Sequence, residues 1–197
     1  LVSGYFPAHA AFRWDANLSA GETLLVLGAS GTMGTAAVQV GRAFGARVIA
    51  AASTPEKVAV AVGKGANEGV CYGEQDLYET VMELTNGDGA DVVFDPVGGP
   101  LYEPAFRTVG WGGRYVIVGF TGGAIPQIPA NRLLIKNRKA IGFVLKYYRT
   151  RRLDLLAQTA AELCDLQMQG KLDASPTVIE LDDAGTMIDE FYNRRAM

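Results

Sequence analysis

The chain carries one histidine, His9, and two cysteines, Cys71 and Cys164, among 197 residues. With so few imidazoles and thiols, none at ligand-like spacing, no zinc-site motif can be drawn. The same shortage of cysteine reads as a reduced, cytoplasmic protein rather than a disulfide-stapled secreted one. Basic charge is not in excess either: 18 Lys and Arg stand against 21 Asp and Glu, a net charge of −3, which argues against a nucleic-acid surface. Arg149, Arg151 and Arg152 cluster locally, in the manner of a solvated helix start. No apolar run approaches the roughly 18 residues of a membrane span, and no signal-peptide pattern occurs. Absent too is any His/Asp, Cys/His or paired-carboxylate constellation. No tyrosine is followed four positions later by a lysine, the pair that short-chain dehydrogenases use for proton transfer.

What the chain does have is apolar residues, 49% of the total against 20% charged, enough for the core of one large domain. The most informative stretch is Leu24-Leu25-Val26-Leu27-Gly28-Ala29-Ser30-Gly31-Thr32-Met33-Gly34. Four apolar residues of strand character run into a glycine-rich turn. A helical pattern opens at once, with Met33, Ala37, Val40 and Phe44 on one face. Such a turn lets a pyrophosphate approach the backbone and presents to it the N–H groups and positive dipole end of the helix. Gly31 has no side chain to block phosphates, and Gly34 lets the helix sit close to the strand. The pattern departs from G-x-G-x-x-G, because Ala29 stands where the first glycine belongs and Gly28 comes one place early. A tight strand–helix turn without a ligand is the alternative.

The order of elements favours the ligand. A helix over 5–16 leads into the first strand, and Gly45 caps the helix after the glycine turn. A second strand, Val48–Ala52, is followed by a helix with Pro55 in its first turn and Ser53 or Thr54 as N-cap. Gly69–Tyr72 forms a third strand, Leu77, Val81 and Leu84 a third helix, and Asp91–Phe94 a fourth strand. Asp95-Pro96-Val97-Gly98-Gly99-Pro100 leaves that strand as another glycine-rich loop, followed by a helix over 101–109 and a strand over Tyr115–Val118. This alternation predicts a Rossmann-type α/β fold, a doubly wound parallel sheet with helices on both faces. Ligands in such sheets sit beyond the carboxyl ends of strands. Gly28–Gly34, Ser53, Tyr72, Asp95–Gly99 and Gly119–Gly123 all fall there. Further on we expect a loop over Thr121–Asn137 with a helical turn at Leu133–Lys136, a strand over Ala140–Tyr147, a helix over 152–169, a strand over Thr177–Glu180 and a last helix capped by Asp182.

The second strand ends Ala50-Ala51-Ala52-Ser53-Thr54, with no acid at its tip. An acid about 20 residues past the glycine turn would hold a free ribose and repel a 2′-phosphate. Small and hydroxyl residues leave room for the phosphate, and Lys57 lies one helical turn on. Ser53 and Lys57 therefore predict NADP(H). The alternative makes Ser53 a plain N-cap, Glu56 its capping-box partner and Lys57 a surface residue.

At these residues the sequence resembles the quinone oxidoreductase branch of the medium-chain dehydrogenase/reductases. The resemblance rests on Gly21–Gly34, on Ser53…Glu56-Lys57, on Asp91-Val92-Val93-Phe94-Asp95-Pro96-Val97-Gly98-Gly99 and on Gly112-Gly113-Arg114-Tyr115-Val116-Ile117-Val118-Gly119-Phe120. Ile128-Pro129-Ala130-Asn131 and Lys136-Asn137 fit as well. It implies zinc-independent, NADPH-dependent reduction of a quinone or α,β-unsaturated carbonyl. It also implies that Ser30, Gly31, Thr32, Met33 and Gly34 meet the pyrophosphate and that Ser53 and Lys57 meet the 2′-phosphate. Tyr72 would lie near the adenosine end, while Asp95, Val97, Gly119 and Phe120 would line the adenine–nicotinamide cleft. A homodimer paired through the strand over 140–147 is implied too.

The resemblance is incomplete. Family members carry an N-terminal GroES-like, barrel-type catalytic domain that supplies much of the substrate pocket, and a final strand beyond the point matching Met197. Residues 1–197 are therefore expected to be the NAD(P)-binding domain of a larger protein, with its catalytic residues elsewhere. Relatives tend to have a threonine and an aromatic where this chain has Pro7-Ala8-His9; His9 either packs or faces the nicotinamide. The functional alternative is a non-catalytic module that senses NADPH or scaffolds a partner.

Overall fold

Strand β1 (Thr23–Leu27) is buried on both sides: Leu24 and Val26 enter one apolar cluster, Leu25 and Leu27 the other. A strand apolar on both faces can sit only inside a sheet covered by helices front and back. The computed structural model, which describes residues 4–174 and 180–192, has that architecture. The other strands are β2 (Arg47–Ala52), β3 (Glu68–Cys71), β4 (Ala90–Asp95), β5 (Val109–Ile117) and β6 (Lys139–Gly142). All pair in parallel, in the order β3-β2-β1-β4-β5-β6, with Leu25 registered between Ile49 and Val93. This is the doubly wound Rossmann order, and its direction reverses between β1 and β4.

One face of the sheet is covered by α1 (Tyr5–Ala10), α2 (Thr32–Ala43), α3 (Pro55–Gly63) and α8 (Leu153–Met168), the other by α4 (Leu77–Leu84) and α5 (Tyr102–Arg107). The helix expected over 5–16 is α1 continued by a π-helical turn over Ala11–Asp15. The helix expected over 101–109 is a 3-10 turn at Gly99–Leu101 leading into α5, after which β5 begins at once with an irregular register between Ala90 and Val92. The helical turn expected at Leu133–Lys136 is α6 (Ala130–Ile135). Asp182 lies within a 3-10 turn, Leu181–Asp183, that precedes α9 (Ala184–Tyr192). The strand expected over Thr177–Glu180 falls, apart from Glu180, outside the described residues. No helix among the described residues is long and apolar enough to cross a membrane.

The strand expected over Ala140–Tyr147 is half right. It stops at Gly142, and Leu145–Arg151 is helix α7. A short apolar run does not separate strand from helix by period alone, and here tertiary partners decide. Phe143 turns into the core and stacks on Tyr148, ring centroids 5.5 Å apart. The Tyr148 hydroxyl donates to Asp15 at 2.8 Å. In a continued strand these two residues, five apart, would have pointed to opposite faces; the turn from β6 into α7 lets their rings meet.

His9 is fully buried where α1 crosses α2 and α8. Its Nε2 lies 3.1 Å from a Glu162 carboxylate oxygen, and its ring meets Phe44 edge-on at 5.2 Å. The same carboxylate oxygen is 3.5 Å from Nε of Arg13. The Nδ1 of His9 has no hydrogen-bond partner among the described residues. Burial holds the imidazole below its ordinary pKa, against the pull of the Glu162 charge. The unfolded chain therefore takes up a proton near pH 6.5 that the folded chain refuses, and stability falls as pH drops through that value. Urea unfolding at pH 7.5 and 5.5 should show this loss for the native chain and a smaller one for His9→Gln.

Candidate functional site

The segment leaving β1 is shaped by two contacts. Gly28 has φ +59°, and a Cβ on it would stand 3.0 Å from the Val97 methyl. At Gly34 a Cβ would overlap the Gly28 carbonyl oxygen and the Ala29 backbone. Helix α2 thus lies hard against the turn, an approach only glycine permits. Gly31 differs: it is exposed, has an ordinary φ of −76°, and its Cβ would come no nearer than 3.5 Å to protein. The protein itself does not require a glycine there. The N-cap of α2 is Gly31, which has no side chain to cap it, whereas Thr54 and Asp76 cap α3 and α4, the helices that follow β2 and β3. The first N–H groups of α2, at Thr32, Met33 and Gly34, have no intrahelical acceptor by the geometry of a helix start. Exposed Thr32 and half-buried Met33 and Ser30 lie beside them.

Toward β2 and β3 a second corner forms. Ala29 N–H donates to Ala51 O at 3.1 Å, and Tyr72 N–H to Ala52 O at 3.0 Å. Gly73 sits directly against the Ser53 carbonyl. Ser53 and half-buried Tyr72 therefore share this corner, with Lys57 in the first turn of α3. Of the two N-cap candidates, Thr54 is the one used, its hydroxyl accepting from Lys57 N–H at 3.4 Å. A hydrogen bond with Thr54 also holds the Glu56 carboxyl below its usual range. Capping thus makes no demand on the Ser53 hydroxyl.

Toward β4 and β5 the loops are zipped together. Thr121 N–H and Oγ1 donate to Pro96 O at 3.2 and 3.1 Å, Gly122 N–H to Val97 O at 2.7 Å, and Gly99 N–H to Ala124 O at 3.0 Å. Half-buried Gly119 lies over the Pro96 carbonyl, and Phe120, 40% exposed, lies over Gly98. Asp95 does not face outward. It is fully buried, and its carboxylate accepts from Val97 N–H at 2.7 Å, Gly98 N–H at 2.8 Å and the Tyr115 hydroxyl at 2.5 Å. Burial and the adjoining Asp95 charge push the Tyr115 hydroxyl well above the ordinary tyrosine range. Tyr115 and Thr121 were not foreseen as site residues; a tyrosine at the head of the apolar end of β5, Tyr115–Ile117, was the available signal. His9 packs against Glu162 and Phe44, at the far end of α1 from Gly4, which touches Thr32.

Residues 32–161 match the family model described as "Zinc-binding dehydrogenase". The chain belongs to this family. It therefore lies within the medium-chain dehydrogenase/reductases, as the sequence motifs led us to expect. It is 35% identical over 194 residues to quinone oxidoreductase-like protein 2 of Bos taurus, covering 98% of this chain and 55% of that protein. Among solved structures, quinone oxidoreductase of Pseudomonas syringae superposes with TM-score 0.87 at 29% identity, over 98% of this chain and 59% of that one. The Escherichia coli quinone oxidoreductase complexed with NADPH superposes with TM-score 0.84 at 26% identity, over 99% and 61%. The chain spans about half the length of the curated relatives it matches. Among the described residues of this family member, no three His, Cys, Asp or Glu side chains group so as to hold a metal ion.

The two glycines of the turn should respond differently to a methyl group. Gly34→Ala forces α2 off the turn and should cost about 1–3 kcal/mol in urea unfolding, the range for overpacking. Gly31→Ala should leave stability within about 0.5 kcal/mol, as for an unobstructed surface site.

Proposed function

We propose that this chain is the NADPH-binding domain of a zinc-independent oxidoreductase whose full-length form reduces a quinone or an α,β-unsaturated carbonyl. The observation that carries the proposal is the Gly28–Gly34 turn at the β1/β4 reversal point, with an uncapped helix start and an exposed Gly31 that the protein does not itself demand. Backbone N–H groups at Thr32, Met33 and Gly34, with Ser30 beside them, would hold the pyrophosphate across Gly31. At the β2 tip, Ser53 and Lys57 would take the 2′-phosphate and Tyr72 would flank the adenosine. Thr54 caps α3 in place of Ser53, which supports this assignment. Val97, Gly119 and Phe120 would line the cleft on the β4–β5 side. Asp95 would act from beneath, through the loop it holds. NADPH supplies a hydride when bound; the chain's own residues orient the dinucleotide and screen it from water. The likeness to an NADPH-complexed quinone oxidoreductase supports both cofactor and reaction class, and the free Cys71 and Cys164 support a reduced, cytoplasmic setting.

Calorimetric titration with NADPH and NADH tests the reading. NADPH should bind at least about tenfold tighter, because a hydrogen bond to a charged group contributes roughly 1.5–3 kcal/mol. Lys57→Ala and Ser53→Ala should reduce that preference, and Gly31→Ala should abolish binding without unfolding the chain. Equal affinities would remove the 2′-phosphate assignment, and absence of binding would remove the site. The chain by itself should turn over little or no quinone or enone; measurable reduction would overturn its reading as a cofactor domain.

A homodimer is proposed through β6, now limited to Lys139–Gly142. Among the described residues it is one of the sheet's two edge strands, with Ala140 and Gly142 exposed and Leu134 (82%) and Val144 (61%) bare nearby in sequence. Sedimentation at micromolar concentration should show a dimer, and a monomer would overturn this.

A further inference from the structure

We propose that Asp95 and Tyr115 form a positioning pair for the cofactor cleft, holding the β4 loop so that the half of the site on the β4–β5 side has its shape. The inference rests on the nucleotide-binding reading above.

Burying a carboxylate is unfavourable unless its lone pairs are met, and well-packed apolar residues in its place are often as stable or more so. Asp95 has no solvent exposure. Three donors converge on it: one side-chain hydroxyl from β5 and two consecutive backbone N–H groups of its own loop. The Tyr115 ring is fully buried between Tyr102 and Phe106, centroids 5.8 and 5.4 Å away, so the hydroxyl is delivered from a rigid side chain. Pinning the Val97 and Gly98 N–H groups from below leaves the Pro96 and Val97 carbonyls to take Thr121 and Gly122 of the β5 loop. The same segment presents the Val97 methyl to Gly28. Three loops, after β1, β4 and β5, thus take their relative positions from this one carboxylate. The loops after β2 and β3, where the 2′-phosphate end is proposed, have no direct contact with it among the hydrogen bonds of the site. A dinucleotide lies across the reversal point, one mononucleotide half on each side. The pair should therefore matter to one half and not to the other.

Two ligands separate the halves: NADPH occupies both, and adenosine 2′,5′-bisphosphate only the adenosine side. Tyr115→Phe keeps the ring and removes the donor; Asp95→Asn keeps an acceptor for the loop N–H groups. Tyr115→Phe should weaken NADPH about tenfold, the order of one hydrogen bond to a charged group, and the bisphosphate less than about twofold. Asp95→Asn should show the same split with a smaller loss. A purely structural pair would weaken both ligands alike or neither, and either result overturns the proposal. So does unfolding of both variants at 25 °C, which would make the pair a requirement of folding alone. Failure of the unsubstituted chain to bind either ligand would instead refute the nucleotide-binding reading on which the proposal stands.

Discussion

The structure depends on how closely α2 approaches the end of β1. Gly34 lies against the Gly28 carbonyl with no room for a Cβ, so the helix starts where the strand stops. Everything near the site follows from that short connection. The uncapped N–H groups are carried to the reversal point of the sheet, and Gly28, at φ +59°, lies under Val97 of the neighbouring loop. A longer or bulkier turn would lift α2 away and leave its dipole end facing solvent rather than the mouth between β1 and β4.

Around that connection the molecule uses two kinds of support. On the β2–β3 side the loops are held by backbone contacts and a threonine cap, which leaves Ser53 and Lys57 at a corner shared with Tyr72. On the β4–β5 side they are held by a buried, fully satisfied carboxylate and a tyrosine hydroxyl. The first arrangement keeps the Ser53 hydroxyl out of the helix cap. The second consumes polar side chains to fix backbone. Asp95 illustrates the difference, since a carboxylate at a strand end reads from sequence as a ligand-facing group and proves to be a loop anchor.

Much of the fold was legible because its signals are local. Alternate burial of Leu24 and Val26 against Leu25 and Leu27 requires a two-sided sheet. Glycine and proline punctuation marked nearly every strand–helix boundary. Errors occurred where local preference is weak and distant residues choose. The run Ala140–Tyr147 suits strand or helix, and the stack of Phe143 on Tyr148, tied to Asp15, selects helix after Gly142. Ser53 and Thr54 cap equally well on paper; the chain's entry into α3 puts Thr54 in place.

The amino-acid order alone determined the alternation of elements, the parallel doubly wound sheet, the glycine turn and the lack of an acid at the β2 tip. Each of these is set by residues a few positions apart, through backbone sterics, capping and apolar periodicity. Tertiary structure alone decided which partners the buried polar groups take. Asp95 is engaged by Tyr115, 20 positions away, and His9 by Glu162, 153 positions away. Such pairings are set by the packing of whole elements, which no local pattern encodes.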